Sequence, residues 1–310
     1  MSELQAKTYR PEDFMSANIS QTAKEQITRV PTSLLIDGWM RLKRNRGALI
    51  GLIVLTALFV MALVGPHVAK YTYHEQHLTD TNKSPSAEYY FGTDHLGRDM
   101  FARAWEGLRV SMLIAFIAAS LDLLIGLTYG SISAFYGGRI DNVMQRIIEV
   151  LYGIPNLIVI ILMMMILQPG IIAIAFAMVI TGWVPMARIV RGQILKLKNQ
   201  EYIMASRTLG ASNARLIWKH LIPNTLGPVI VNLTFTIPTA IFFEAVLSFI
   251  GLGLQPPNTS LGVMINEGFR MLRFYPHETI IPGAMIALLM LGFNLLGDGL
   301  RDAFDPKLRR

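Results

Sequence analysis

The chain has 310 residues, of which 52% are hydrophobic and 16% are charged, and its mean hydropathy is +0.43. This composition is typical of a membrane protein rather than of two soluble domains. The sequence contains no cysteine, which excludes disulfide bonds, cysteine-ligated zinc, iron–sulfur clusters and thiol nucleophiles. The net charge is +7, and the positions of the Lys and Arg residues along the chain decide what this charge indicates.

The amino-terminal arm, residues 1–46, has no apolar run of the length found in signal peptides. Near its end, Trp39, Met40 and Leu42 alternate with basic residues. Apolar and basic side chains mixed in this way favour a helix that lies at the membrane surface. We therefore predict an interfacial helix that leads into the first membrane span.

Six transmembrane helices are predicted from long stretches that contain no Lys or Arg and, apart from Asp122 and Glu244, no Asp or Glu. A helix needs about 20 apolar residues to cross the hydrocarbon core. In chain order the predicted spans are 47–69, 110–138, two helices of a hairpin between 149 and 188 that breaks at 168–170, 225–251 and 279–297. The sequence thus predicts an all-α integral membrane protein. Its regions are the arm 1–46, the first transmembrane helix 47–69, an extracytoplasmic loop 70–109, a membrane core 110–299 that includes a long cytoplasmic loop 191–223, and a tail 300–310.

The basic residues predict the orientation, because Lys and Arg near span ends are retained in the cytoplasm. With the amino terminus inside, 21 of the 28 Lys and Arg residues fall in cytoplasmic segments. Both termini are therefore predicted to be cytoplasmic. The same rule accounts for the basic loops, so we expect the lipid bilayer and not nucleic acid as their partner.

Motifs of enzymes and motors are missing from the sequence. It has no phosphate-binding loop of the form G-x-x-x-x-G-K-[ST], no G-x-S-x-G and no H-E-x-x-H. If the chain moves a substrate with the energy of ATP, another chain must hydrolyse it. His74 and His77 lie close together in the first outer loop, but Glu75 is the only carboxylate beside them, and no metal ligands are assigned.

Two acidic residues lie inside predicted spans, Asp122 in the second and Glu244 in the fifth. An ionisable group in a span costs about 2.5–3.5 kcal/mol on insertion scales unless it has a partner or a wet cavity. Either residue could therefore line a substrate path or its gate. The alternative is an interhelical salt bridge or hydrogen bond that only stabilises the bundle.

The cytoplasmic loop between the fourth and fifth spans has the pattern of two helices joined by a turn. Residues 201–209 have helical composition, Gly210 is placed just after the helix end, and Ser212 can cap a second helix that Pro223 stops. A loop that only connected two spans could be much shorter.

Small residues at Ala205 and Ser206 would let the surface of another protein approach this loop closely. Docking of a partner is the functional interpretation. An amphipathic loop lying on the membrane is the alternative.

The outer loop between the last two spans contains apolar residues at helical spacing, namely Leu261, Met264, Ile265, Gly268, Phe269 and Leu272. This pattern predicts a short amphipathic helix that packs on the outer mouth of the bundle.

Three separated blocks resemble those of the inner-membrane subunits of ATP-binding-cassette (ABC) peptide importers, specifically the C-type permease subunit. The signature G-T-D-x-x-G-R-D is matched at Gly92, Thr93, Asp94, Gly97, Arg98 and Asp99. The second block runs from Glu244 to Gly253, and the third from Gly297 to Asp302, followed by Asp305-Pro306. The resemblance implies the type I importer permease fold.

Importer permeases of this family dock the ATPase through a loop of the form E-A-A, three residues, G, nine residues, I-x-L-P. Alignment on Gly210 and Pro223 places Met204, Ala205 and Ser206 at E-A-A, with His220 and Ile222 at the I and L, so several positions differ here. The resemblance implies an ATPase-coupling loop formed by Glu201, Met204, Ala205, Ser206, Gly210, Ala211 and Pro223.

The family resemblance also implies the partners: a B-type permease subunit, two ABC ATPase subunits that bind ATP and Mg²⁺, and an extracytoplasmic peptide-binding protein. No cofactor is expected on this chain itself. The amino-terminal arm resembles the oligopeptide branch most, and related dipeptide, glutathione or nickel importers are the alternatives. A secondary transporter or channel, or an intramembrane enzyme, is a different class that the motifs do not favour.

Overall fold

The computed structural model describes residues 34–304, and these residues fold almost entirely into helices. In chain order the helices are α1 (Leu34–Leu42), α2 (Arg46–Val68), α3 (Met100–Tyr136), α4 (Gly138–Gly153), α5 (Asn156–Ile166), α6 (Ile171–Gly182), α7 (Val184–Leu197), α8 (Glu201–Thr208), α9 (Asn213–Arg215), α10 (Ile222–Phe249), α11 (Leu261–Phe269) and α12 (His277–Phe304). A 3-10 turn at Leu78–Asp80 precedes α3, and a π-helical turn at Leu216–Leu221 joins α9 to α10. Residues 1–33 of the predicted arm and 305–310 of the predicted tail, with the Asp305-Pro306 pair, lie outside the described residues.

Four helices are long and apolar enough to cross a membrane: α2, α3, the continuous helix Asn213–Phe249 and α12. Two bent pairs meet the same test when each pair is taken together, α4 with α5 at 84° and α6 with α7 at 44°. By length and composition, the described part of the chain holds four spans, or six if each bent pair is one span. This confirms the predicted all-α membrane architecture, while the side on which the termini lie stays a prediction.

The predicted ends of the first span agree with the structure better than those of the second span. Helix α2 agrees with the predicted span 47–69 to within one residue at each end. Helix α3 begins at Met100 rather than at residue 110, because the Asp99 side chain accepts a hydrogen bond from the Phe101 N–H and caps the helix. The sequence predicted a start just after Arg109. In the structure, residues 100–109 are already helical, and this charged first part of α3 extends beyond its apolar part.

The predicted hairpin has more bends than the sequence analysis expected. The break near 168–170 is present between α5 and α6. A second break lies at Ile154-Pro155, where proline disfavours helical conformation in the residue before it. A third, smaller bend lies at Trp183, just before Pro185. Irregular backbone at membrane depth is tolerated where it is buried in protein or lines a cavity.

The prediction that Pro223 stops the second helix of the cytoplasmic loop was wrong. Pro223 lies in the first turn of α10, and the helix continues unbroken from Asn213 to Phe249. The π-helical turn directly before it widens the helix, and the Ile222 N–H bonds to the carbonyl of Ile217 five residues earlier. The wider turn accommodates the proline ring and its missing N–H.

Helix α3 is the centre of the bundle and packs against α2, α6, α7 and α10. Its approach to α7 is close because Gly126 has no side chain: a Cβ there would lie 2.6 Å from the Cβ of Met186. Small residues at such crossings allow helices to pack tightly in membranes, where burial from water contributes little.

We expect the outer loop and the cytoplasmic loop to label from opposite sides of the membrane. Because the chain has no cysteine, Ser84→Cys and Ala214→Cys each introduce a single thiol at an exposed position. In right-side-out vesicles, an impermeant maleimide should label Ser84→Cys and spare Ala214→Cys, and detergent should make both reactive. The reverse pattern before detergent would show that the orientation is inverted.

Candidate functional site

The loop predicted for docking forms a short helix that is fixed on one side and exposed on the other. In α8, Ile203 is buried and packs in an apolar cluster that includes Ile194 and Leu216. Its neighbours Met204 and Ala205 are exposed. Helix α8 is therefore held by one apolar anchor and presents its other face to solvent.

The turn after α8 has a specific geometry that depends on glycine. Gly210 has φ +85°, its N–H bonds to the Arg207 carbonyl at 3.0 Å, and the Ala211 N–H bonds to the Ser206 carbonyl at 3.1 Å. This pair of bonds is a Schellman motif, which closes a helix with its C′ residue in the left-handed region. The Ser212 side chain then caps the next helix by accepting from the Arg215 N–H at 3.3 Å, as the sequence predicts.

Three large apolar side chains of α8 and of the segments that follow it are exposed to solvent. Met204 is 53% exposed, Leu209 is 88% exposed and Trp218 is 60% exposed. An exposed apolar patch rimmed by polar residues is typical of a surface that binds another protein. Glu201 lies exposed in the first turn of α8. The Ser206 hydroxyl donates to the Tyr202 carbonyl of the same helix at 2.7 Å, so this small side chain lies against its own helix and adds little bulk to the surface.

Polar contacts fix the base of this loop to the bundle. Arg191 on α7 donates two hydrogen bonds to Asp141 on α4, at 2.7 and 2.6 Å. Lys198, just after α7, donates to the Ala134 carbonyl of α3 at 2.7 Å. Sequence analysis did not identify this pairing, because Asp141 and Arg191 are 50 positions apart and neither belongs to a recognisable motif.

A cavity of about 380 Å³ lies where the broken helices meet α3 and α10. Its lining residues are Ala118, Asp122, Leu151, Tyr152, Ile154, Pro155, Asn156, Met178, Thr181, Gly182, Val184, Pro185, Asn232, Phe235, Thr236, Thr239, Ala240 and Phe243. Both bends, at Ile154-Pro155 and at Trp183, border it. The cavity thus lies where the irregular backbone of the bundle is concentrated.

The two acidic residues predicted inside spans lie in different surroundings. Asp122 lines the cavity. Glu244 is fully buried away from it, where it accepts hydrogen bonds from Ser111 at 2.7 Å and from Ser248 at 2.8 Å. The bond from Ser111 joins α3 to α10, whereas Ser248 lies on α10 itself; an interhelical bond of this kind is the bundle-stabilising alternative predicted for Glu244. A gate or pathway role for either residue stays a prediction.

The signature that the sequence predicts to be extracytoplasmic forms a compact loop directly before α3. Asp94 accepts from the backbone N–H groups of Leu96 and Arg98 and forms an ion pair with the Arg98 side chain at 2.6 Å. Gly92 and Gly97 both have positive φ values in this loop, and Thr93 forms an isolated bridge with Asp99. Burial raises the pKa of the Asp99 carboxyl, against the opposing effect of its bonds to the Phe101 and Ala102 N–H groups.

An ion network joins this signature loop to the outer amphipathic helix. Glu267 on α11 accepts from Arg98 at 2.9 Å and from Arg103 at 2.6 Å, and the Arg103 Nε lies 3.4 Å from Asp94. The predicted helix is present as α11, capped by Ser260. Arg103 gives no signal in the sequence, because it lies within the predicted loop 70–109, six residues before the end of that loop.

The histidine pair in the outer loop makes ordinary contacts. The His77 ring packs against Tyr71 in a tilted arrangement, with 4.6 Å between ring centroids, and its Nε2 lies 3.3 Å from Glu75. Asp94, His95 and Glu267 could offer ligand atoms within 4.8 Å of one another. Both carboxylates are ion-paired with arginine, so these residues give no reason to assign a metal.

Two family models match the chain. The model described as the binding-protein-dependent transport system inner membrane component matches residues 126–310, and the N-terminal TM domain of oligopeptide transport permease C matches residues 33–85.

Relatives among known proteins agree with these matches. The oligopeptide transport system permease protein OppC of Bacillus subtilis is 49% identical over 92% of this chain and 94% of its own length. The dipeptide transport system permease protein DppC of the same organism is also 49% identical, over 97% of this chain and 94% of its own length.

Solved structures support the fold. A chain of the MetNI methionine ABC transporter in an inward-facing conformation aligns with a TM-score of 0.55 at 20% identity, covering 66% of this chain and 98% of that chain. This likeness shows the fold alone. The matched regions, with the relatives at 49% identity, show that the chain belongs to the inner-membrane components of binding-protein-dependent transport systems, as a multi-pass C-type permease of the peptide ABC importers.

Proposed function

We propose that this chain is the C-type permease subunit of an ATP-driven oligopeptide importer. It forms the translocation path with a B-type permease and receives peptide from an extracytoplasmic peptide-binding protein. Two ABC ATPase subunits bind ATP and Mg²⁺ and drive the cycle. The family membership supports a permease without nucleotide-binding activity of its own.

One observation carries the coupling part of this proposal: the exposed helix α8 is joined by a rigid turn to a helix that reaches the cavity. The unbroken helix Asn213–Phe249 starts three residues after Gly210 and later presents Asn232, Thr236 and Thr239 to the cavity. A force applied to α8 by an ATPase would therefore act on a wall of the cavity through one continuous element.

The transport step we propose is alternating access. When ATP draws the two ATPases together, α8 follows the ATPase cleft that holds it, and the permease pair changes from inward-facing to outward-facing. The contact of Arg191 with Asp141 ties α7 to α4, and that of Lys198 with Ala134 ties the end of α7 to α3, so these helices would move together with the loop. The bundle can then rotate as a body instead of deforming locally.

The outer surface has the properties needed to receive the binding protein. The signature loop is fixed to α11 by the Asp94, Arg98, Arg103 and Glu267 network. A rigid outer surface of this kind would transmit docking of the binding protein to α10 and α12, against which α11 packs. With both termini in the cytoplasm, as the basic residues predict, α8 would face the ATPases and this loop would face outward.

The alternative within the same class is a dipeptide importer, because the oligopeptide and dipeptide relatives are equally similar to this chain. Nickel and glutathione importers are further branches of the family resemblance. A secondary transporter or channel does not account for the exposed α8 and its fixed turn.

We expect a strain that lacks this chain to lose uptake of peptides and to keep uptake of nickel. Initial uptake of a radiolabelled pentapeptide, a radiolabelled dipeptide and ⁶³Ni²⁺ should be compared in the parent strain, the deletion strain and the deletion strain carrying the gene on a plasmid. Loss of pentapeptide uptake that the plasmid restores supports the proposal. Loss confined to the dipeptide would favour the dipeptide branch, and loss confined to nickel would contradict a peptide substrate.

A further inference from the structure

The cavity contains one carboxylate that has no protein partner among the described residues. Asp122 is 6% exposed, and its Oδ1 atom is buried without a hydrogen bond in the described part of the chain. A carboxylate within a membrane span is unfavourable unless a partner or water stabilises it. The described residues supply no such partner, so water or a group from outside this chain would have to stabilise an ionised Asp122.

The threonine side chains that line the cavity have hydrogen-bond partners within this chain. The threonine hydroxyls donate as follows: Thr181 to Asn156 Oδ1, Thr236 to the Asn232 carbonyl at 3.1 Å, and Thr239 to the Phe235 carbonyl at 2.8 Å. None of the described residues that line the cavity is Lys, Arg or His. Asp122 is thus the single acidic side chain of the described lining, and that lining offers no Lys, Arg or His side chain to pair with it.

The backbone next to Asp122 leaves room for the carboxylate. Gly182, the last residue of α6, lies so close that a Cβ there would be 2.6 Å from Asp122 Oδ2. Any other residue at this position would displace the carboxylate from the bend between α6 and α7. The bundle therefore leaves space for the Asp122 carboxyl group at the cavity wall, and none of the described residues forms a hydrogen bond or ion pair with its Oδ1 atom.

We propose that Asp122 binds the ammonium group at the amino terminus of a peptide that passes through the cavity. The inference rests on the proposed function and names the chemistry of its substrate contact. A carboxylate and an ammonium group form a charge-assisted hydrogen bond, which is strong where water is scarce. Every unmodified peptide carries this group, so one aspartate serves peptides of any sequence.

A bound divalent cation fits this cavity less well. Calcium and magnesium are held by several oxygen ligands, and transition metals by imidazole or thiolate groups. The described lining offers one carboxylate and no imidazole. The volume of about 380 Å³ lies within the range typical of sites for small organic ligands.

Protection of a cysteine in the cavity tests this contact without the binding protein. Thr239 lines the cavity, is exposed, and bonds only within its own helix, so Thr239→Cys places a reporter thiol in a chain that has no other. The assembly carrying Thr239→Cys is labelled with a maleimide in the presence of tetraalanine or N-acetyl-tetraalanine. We expect the concentration of tetraalanine that halves the labelling rate to be about tenfold lower than that of the acetylated peptide.

The same measurement in the Thr239→Cys, Asp122→Asn assembly should abolish the difference between the two peptides, and Asp122→Glu should retain part of it. Equal protection by both peptides with Asp122 intact, or no protection by either, overturns the proposal even if Asp122→Asn does not assemble. Loss of the B-type permease from the Asp122→Asn assembly would instead assign this carboxylate to a contact between subunits. Loss of peptide uptake in the deletion strain is a separate result, so the proposed function can stand while this inference fails.

Discussion

Substituting Gly210 with valine should abolish peptide uptake while the permease still inserts into the membrane and pairs with its partner. Gly210 holds φ +85° in the turn after α8, a conformation that costs roughly 1–2 kcal/mol for a residue with a Cβ and more for a β-branched one. Nothing lies within 4 Å of the position a Cβ would take, so the effect acts through the backbone and not through a clash. Valine would therefore reorient α8 relative to the helix that begins at Asn213.

Gly192 on α7 supplies the matched control for this prediction. It also has open space around its Cβ position, and its backbone is helical, so Gly192→Val makes the same chemical change without the strain. Uptake should fall at least about tenfold for Gly210→Val and stay within about twofold of wild type for Gly192→Val. Equal uptake by the two variants would show that the turn is not needed.

Ala205→Trp tests the exposed face of α8 in the same assay. A large side chain there should keep α8 out of the ATPase cleft and lower the recovery of ATPase subunits with the purified permease. Ala205→Ser keeps the residue small and should leave that recovery unchanged. Full ATPase recovery with Ala205→Trp would place the contact elsewhere on the cytoplasmic surface.

Replacing Arg103 with alanine should destabilise the whole assembly. The Arg103 side chain is 2% exposed and bonds to Glu267 at 2.6 Å. Its removal leaves the buried carboxylate of Asp94 and the partly buried one of Glu267 with only Arg98 to compensate them. Breaking a buried ion pair on one side costs about 3–5 kcal/mol, which here corresponds to roughly 5–10 °C in melting temperature. The melting temperature of the purified assembly in detergent measures this effect.

Arg109, two helical turns further along α3, is the control for Arg103. Its side chain is 49% exposed and lies 3.4 Å from Glu106. Exposed pairs contribute about 0–1 kcal/mol, so Arg109→Ala should change the melting temperature little. Equal effects of Arg103→Ala and Arg109→Ala would show that the outer ion network does not stabilise the fold.

The sequence predicted most of the membrane architecture because hydrophobic length depends on local composition. The bounds predicted for the first span agree with α2 to within one residue. The predicted start of α3 was too far along the chain, because the prediction relied on uncharged stretches. Such a criterion cannot recognise a helical arginine that is buried and paired with a distant acidic residue, as Arg103 is with Glu267. Pro223 was wrongly placed as a stop, because the π-helical turn that accommodates it depends on packing and not on a residue type.

The candidate site was predicted unevenly for the same physical reason. The turn at Gly210 follows from local backbone rules and was found from sequence. The cavity around Asp122 could not be found this way, because its walls come from α3, two helix breaks and α10, which are distant along the chain. Asp122 and Glu244 are both acidic residues in spans, and only the fold distinguishes the satisfied carboxylate from the one that lacks a partner.

The ratio of peptide transported to ATP hydrolysed tests the central claim most directly, namely that α8 and its turn couple this permease to its ATPases. It should be measured in proteoliposomes that contain the complete importer and its binding protein, with wild-type, Gly192→Val and Gly210→Val chains. We predict the same ratio for wild type and Gly192→Val, and a ratio at least about tenfold lower for Gly210→Val, in which hydrolysis continues without movement of peptide. An unchanged ratio in Gly210→Val would contradict the coupling assignment.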